Sequence, residues 1–142
     1  MKKMFLLILG CLLLTSCSKE HIIHYNPYIP EMNVNLVLNL NLPLYYALNY
    51  PNNAILEPSQ GYNGVIVYNT GMGYVAYEAT CSNHAINLNS YLTIDGQLAF
   101  CNSCNREYFL LNGQPGANEE DSPYFLKAYY VSQQGNILTI TN

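Results

Sequence analysis

The chain of 142 residues is 50% hydrophobic, 13% aromatic and only 10% charged, which suits one small domain and excludes both a second full domain and a wholly disordered chain. Its formal net charge of -4 becomes -6 once Lys2 and Lys3 are set aside with a leader argued below, because three basic residues then face nine acidic ones. A surface so poor in Lys and Arg offers no basic stripe to a phosphate backbone and argues against nucleic acid as a partner, while 14 tyrosines without a tryptophan favour strands over a helical bundle.

The chain begins with two lysines and an apolar run from Met4 to Leu14. That run is too short to cross a bilayer core as a helix, which takes about 20 residues, and it fits the apolar region of a secretory signal. Leu14-Thr15-Ser16-Cys17 follows and resembles the bacterial lipobox, in which the signal is cut before a cysteine whose thiol carries a diacylglycerol. The resemblance implies a signal peptide over residues 1–16 and a membrane partner held through acylated Cys17. Several acyl chains on one residue supply the anchoring that a single chain cannot, at ~0.8 kcal/mol per buried methylene. Ser18 in place of Asp after the cysteine resembles an outer-membrane sorting signal, so the expected location is the cell envelope, on the periplasmic or outer face of that membrane. Residues 17–32 are polar with Pro27 and Pro30 and read as a tether, in which His21 and His24 receive no role.

Residues 33–142 read as an all-β domain. Val34 to Leu42 alternates apolar and polar with Val37 as the exception, the pattern of a strand with one buried face, and Pro43 ends it. Leu44 to Leu48 suits a single helical turn. Gly64–Tyr68 and Tyr74–Glu78 flank a glycine-rich hairpin turn; Tyr91–Ile94 and Gln97–Phe100 flank Asp95-Gly96, read as a type I′ turn. Glu107 to Leu111 is a short strand before Asn112-Gly113, and Phe125–Val131 pairs with Asn136–Thr141 across Ser132 to Gly135. Strands at this spacing predict a β-sandwich or small barrel.

The cysteines carry the chemistry. Cys11 falls in the leader and Cys17 carries lipid, which leaves Cys81, Cys101 and Cys104, an odd number that cannot complete a disulfide framework. Cys81-Ser82-Asn83-His84 and Cys101-Asn102-Ser103-Cys104 are two short knuckles joined by a hairpin. Each brings two soft donors into one turn, so Cys81, His84, Cys101 and Cys104 form a candidate site for zinc or an iron–sulfur centre. His84 is the only histidine of the predicted domain, so a Ser/His/Asp set cannot be built, and no βαβ pattern supports a thiol oxidoreductase. No catalytic residues are assigned.

From about Gly64 to Thr141 the chain resembles a Rieske-type [2Fe-2S] domain, as in the small Rieske-like lipoproteins of Bacteroidota. That family carries Cys-x-His on one loop and Cys-x-x-His on a second, with a hairpin between them. Tyr74 to Cys81 resembles the entry to the first loop, Glu107-Tyr108-Phe109 the aromatic after the second, and Asn112 to Gly116, Pro123 to Val131 and Gly135 to Ile140 the downstream turns and strands. The resemblance implies a small Rieske-like β-sandwich or barrel with two metal-loop tips, a [2Fe-2S] cluster, one-electron transfer and a redox partner protein.

The departures fall on the ligands. In strict register Asn83 stands at the first histidine position with His84 one residue late, Cys104 replaces the second histidine, Asn105 stands where a glycine follows, and the extra cysteine pair that bridges the loops is missing. Three outcomes stay open: a three-Cys, one-His [2Fe-2S] cluster, a tetrahedral zinc site, or a degenerate fold without cofactor in which Cys101 and Cys104 pair as a disulfide. The last two would make the domain a structural or interaction module with a protein partner of that kind.

Overall fold

A computed structural model describes residues 26–116 and 123–142, so the leader, Cys17 and the first part of the tether lie outside the described residues. Nine strands follow in chain order: β1 (Asn35–Asn39), β2 (Ala54–Glu57), β3 (Val65–Asn69), β4 (Tyr74–Glu78), β5 (Leu92–Asp95), β6 (Leu98–Cys101), β7 (Glu107–Phe109), β8 (Ala128–Gln134) and β9 (Ile137–Thr141), with a 3₁₀ helix over Pro43–Asn49. They form a six-stranded antiparallel sheet in the order β1-β9-β8-β4-β3-β2 and a three-stranded antiparallel sheet in the order β5-β6-β7. The described residues thus form the all-β fold expected from the sequence.

Period-two alternation explains how two cores share one sheet. In β1, Leu36 and Leu38 turn inward, and Val37, the apolar exception on the asparagine face, stays 63% exposed. With Val65, Val67, Ala76, Leu138 and Ile140 they close an almost wholly aliphatic first core. The alternate residues of β3, Ile66 and Tyr68, point to the opposite face, so β3 is buried on both sides. There they meet Tyr77, Ala79, Cys81, Leu92, Ala99, Cys101, Tyr108, Leu110 and Leu126 in a second core beneath the small sheet.

Glu78 is buried on β4, on the same strand face as Ala76 of the first core. Its carboxylate accepts from the Tyr62 and Asn63 backbone N–H groups, the Thr80 hydroxyl and the Tyr129 hydroxyl, at 2.7 to 3.0 Å. A buried carboxylate is tolerable only with such a full set of donors. Gly61 lets the loop wrap it: its φ is +81°, and a Cβ there would come within 2.8 Å of the Glu78 carboxylate.

Several local expectations shift. The first strand stops at Asn39, its last pair with β9, because Pro43 opens the 3₁₀ helix; Leu40 still buries while Leu42 is exposed. β2 carries no clear sequence signal, since its four residues, lying between Pro51 and Pro58, show no clear alternation. Asp95 pairs with Leu98, so the two turn residues are Gly96 and Gln97, and Gly96 alone has positive φ (+59°), the φ signature of a type II′ turn rather than I′. Gln134 pairs with Ile137 across Gly135 (φ +58°) and Asn136, so Ser132 to Gln134 belong to β8 and not to the turn. The later half of the segment read as a tether packs on the domain: Ile29 is buried, and Asn26 Nδ2 donates to the Ser82 carbonyl at 2.8 Å.

Candidate metal centre

The hairpin β5–β6 carries one knuckle before it and the other after it. Cys81 lies just beyond the isolated bridge Thr80–Tyr91, its N–H donates to the Ser90 carbonyl, and Leu92 N–H donates back to the Ala79 carbonyl. Cys101 is the last residue of β6, directly opposite Leu92 on β5. The pairing therefore returns the second knuckle beside the first, with the Gly96-Gln97 turn at the far end. Cys81 Sγ, a ring nitrogen of His84, Cys101 Sγ and Cys104 Sγ all lie within 4.8 Å of one another. Cys81 Sγ is 3.9 Å from Cys104 Sγ, and His84 Nε2 is 3.1 Å from Cys101 Sγ. Cys81 and Cys101 are buried; His84 and Cys104 form a half-exposed rim.

The surrounding residues prepare these atoms. His84 Nδ1 lies 2.8 Å from the Ala85 carbonyl, to which only an N–H can be directed, so Nε2 is the nitrogen offered to the sulfurs. The Ser103 N–H approaches Cys101 Sγ at 3.4 Å, and that sulfur also accepts from the Cys104 N–H, the arrangement of a Cys-x-x-Cys knuckle. The Asn83 N–H serves Cys81 in the same way. Without metal the sulfurs share protons unequally. The hydrogen bond from Cys81 holds the Cys101 thiol well below its ordinary pKa, helped by His84, while the same bond and burial push Cys81 up. Burial opposes charge on His84, but the Cys101 sulfur and the Ala85 carbonyl outweigh it and raise its pKa. Soft, partly ionised donors that converge in this way fit a thiophilic metal ion by their chemistry.

The Asn83 side chain is bonded to two tyrosines behind the sulfurs. Its Nδ2 donates to the Tyr108 hydroxyl oxygen at 2.9 Å and to the Tyr124 carbonyl at 2.6 Å, and its Oδ1 accepts from the Tyr124 N–H at 3.0 Å. Because Asn83 occupies the Tyr108 oxygen, the Tyr108 proton is free for Cys81 Sγ, 3.2 Å away. Burial drives the Tyr108 pKa up, which keeps that proton in place. Spacing along the chain does not mark Tyr108 or Tyr124 as part of the site; the Tyr108-Phe109 pair after the second knuckle is the one sequence signal for Tyr108. Asn105 adopts φ +57°, the left-handed conformation that Asn tolerates, and so lets the chain turn directly after the second knuckle. Asn87 Nδ2 donates to Ser103 Oγ at 2.8 Å and ties the two loops to each other. Ser82 Oγ is buried without a hydrogen-bond partner among the described residues.

No protein-family model and no curated protein matches the chain. Among solved structures the chain is similar to one from a complex of reduced oxygenase and oxidized ferredoxin in carbazole 1,9a-dioxygenase, at 17% identity and a TM-score of 0.49, covering 79% of this chain and 94% of that one. It is also similar to the ferredoxin of carbazole 1,9a-dioxygenase from Nocardioides aromaticivorans IC177, at 17% identity and a TM-score of 0.47, covering 78% and 98%. A third is the Sphingomonas yanoikuyae B1 ferredoxin, at 15% identity and a TM-score of 0.44, covering 66% and 88%.

Proposed function

We propose that this chain is a lipid-anchored envelope protein whose Rieske-like domain holds a metal centre on Cys81, His84, Cys101 and Cys104 and carries single electrons to and from a protein partner. The observation that carries this reading is the convergence of all four donors within 4.8 Å from two separate loops. Bound iron would supply a one-electron Fe(III)/Fe(II) couple. The chain's own residues bind and insulate: Cys81 and Cys101 hold the buried side, Tyr108 and Asn83 back them, and His84 and Cys104 form the rim that a partner reaches.

The anchor rests on the lipobox-like Leu14-Thr15-Ser16-Cys17. Nine residue steps separate Cys17 from Asn26, a reach of at most about 30 Å at ~3.3–3.6 Å per residue. Since Asn26 is hydrogen-bonded to the Ser82 carbonyl, beside Cys81, the tether would keep the metal loops near the membrane. A second reading follows from the ligand set itself: four protein donors leave no open position, as in structural zinc sites, which suits a non-redox interaction module.

Two measurements on the full chain test the proposal. Fatty-acid labelling should mark the wild type and spare Cys17→Ser; label that persists on the variant overturns the anchor. Anaerobically purified protein should show thiolate-to-iron absorption that bleaches reversibly with one electron per centre, and a colourless zinc form selects the second reading.

A further inference from the structure

We infer that this centre holds a single tetrahedral metal ion and not a two-iron, two-sulfide cluster; the inference rests on the metal-binding reading above. Around one ion, metal–sulfur bonds of about 2.3 Å and metal–nitrogen bonds of about 2.0–2.1 Å set the donors roughly 3.6–3.8 Å apart. The observed separations of 3.1 and 3.9 Å bracket that value, and none of the six donor pairs exceeds 4.8 Å. A two-iron cluster demands more. Each iron takes two protein donors, so whichever way Cys81, His84, Cys101 and Cys104 are divided, four of the six pairs must straddle the iron–iron axis. Two metal–ligand bonds joined by that axis place such pairs more than ~5 Å apart. No pair satisfies this.

The residues around the site point the same way. Asn83, where the family's first histidine would reach for the second iron, is tied into Tyr108 and Tyr124 and offers no donor. Its neighbour His84 comes in one residue later and turns Nε2 onto Cys101 itself. The Cys101–Cys104 knuckle, with N–H groups of Ser103 and Cys104 aimed at the Cys101 sulfur, supplies two adjacent corners of one tetrahedron. The buried side is filled by the Tyr108 hydroxyl at 3.2 Å from Cys81 Sγ. The expected occupant is therefore one ion in three thiolates and one imidazole, iron in the electron-carrying reading.

The test uses the full chain in detergent, purified without air. Metal, protein and acid-labile sulfide are quantified together, and metal-stripped protein is titrated with Co²⁺ followed by its visible bands. One metal per chain, no sulfide, and saturation at one equivalent of cobalt with tetrahedral thiolate bands are expected. Two irons with two labile sulfides per chain overturn the single-ion inference and leave the metal centre standing. One zinc per chain supports the single ion and removes the electron-carrying reading. Absence of any bound metal together with no cobalt uptake overturns both. His84→Ala, on the half-exposed rim, should weaken cobalt binding at least tenfold; an unchanged cobalt affinity and spectrum would overturn the four-donor tetrahedron.

Discussion

The two cores of this molecule are held by different physics. The first is closed by aliphatic side chains of strands β1, β9, β8, β4 and β3, with Leu38, Val65, Val67, Leu138 and Ile140 at 0 to 1% exposure, each burial contributing about 1.5–3 kcal/mol. The second is roofed by three strands of only four, four and three residues, and its buried side chains include two cysteines and three tyrosines. Short strands bury little and hydrogen-bond little, so that roof leans on specific polar contacts, Asn83 with Tyr108 and Tyr124 and Asn87 with Ser103, beside the four converging donors at its tip. A thin layer gains from a clip in a way that a thick aliphatic core does not.

The sharpest way to break this contrast is in the first core. Leu138→Ala should cost about 2–5 kcal/mol in urea unfolding, by the same amount in metal-loaded and metal-stripped protein, because the cavity it leaves lies on the far face of the sheet. A cost that depends on metal would mean that the cores are one cooperative unit.

Metal removal is the reciprocal experiment. Stripping with a chelator should expose the amides of β5, β6 and β7 to hydrogen exchange by on the order of a hundredfold, while those of β1 and β9 change little. The Cys101 N–H, bonded to the Arg106 carbonyl, is a reporter for the small sheet, and the Leu40 N–H, bonded to the Asn136 carbonyl, for the large one. Equal loss at both places would erase the distinction.

Asn83→Ala removes three hydrogen bonds and leaves the Tyr124 backbone without its partner, for an expected cost of about 1–3 kcal/mol and faster release of metal. Unfolding and metal-transfer rates to a colorimetric chelator measure both parts, and an unchanged release rate would show that the loop is held by other contacts. The smallest effect is expected from Tyr108→Phe, which deletes one hydroxyl for about 1 kcal/mol and keeps the packed ring. Metal should be retained, but without the proton on Cys81 the thiolate becomes the stronger donor, so the charge-transfer band should move. A band that stays put would place the Tyr108 proton elsewhere.

All the strands but β2 and the identity of the metal-type donors could be read along the chain, because alternation, turn residues and cysteine spacing are local properties. Period two marked β1, turn residues marked the β3–β4, β5–β6 and β8–β9 hairpins, and the two knuckles marked Cys81, His84, Cys101 and Cys104. Turn register was less legible: Gly96 and Gly135 each occupy the first central position of their turns, a placement decided by which cross-strand pairs bury their side chains and not by the turn dipeptide alone. β2 is not legible in the sequence, since an edge strand of four residues gains its structure from β3 beside it.

What the sequence determined unaided is the kind of protein this is: an all-β domain with soft metal donors on two loops, preceded by a segment that resembles a lipoprotein leader. The tertiary structure alone decided which way each side chain of those loops turns. Asn83 and His84 are adjacent in the chain and nearly interchangeable by spacing, yet one is drawn off by Tyr108 and Tyr124, and the other is set on Cys101. The partners that make this choice lie 25 and 41 residues away from Asn83, and 17 from His84. Spacing along a chain carries no information about contacts at that range; only the pairing of the strands brings them together.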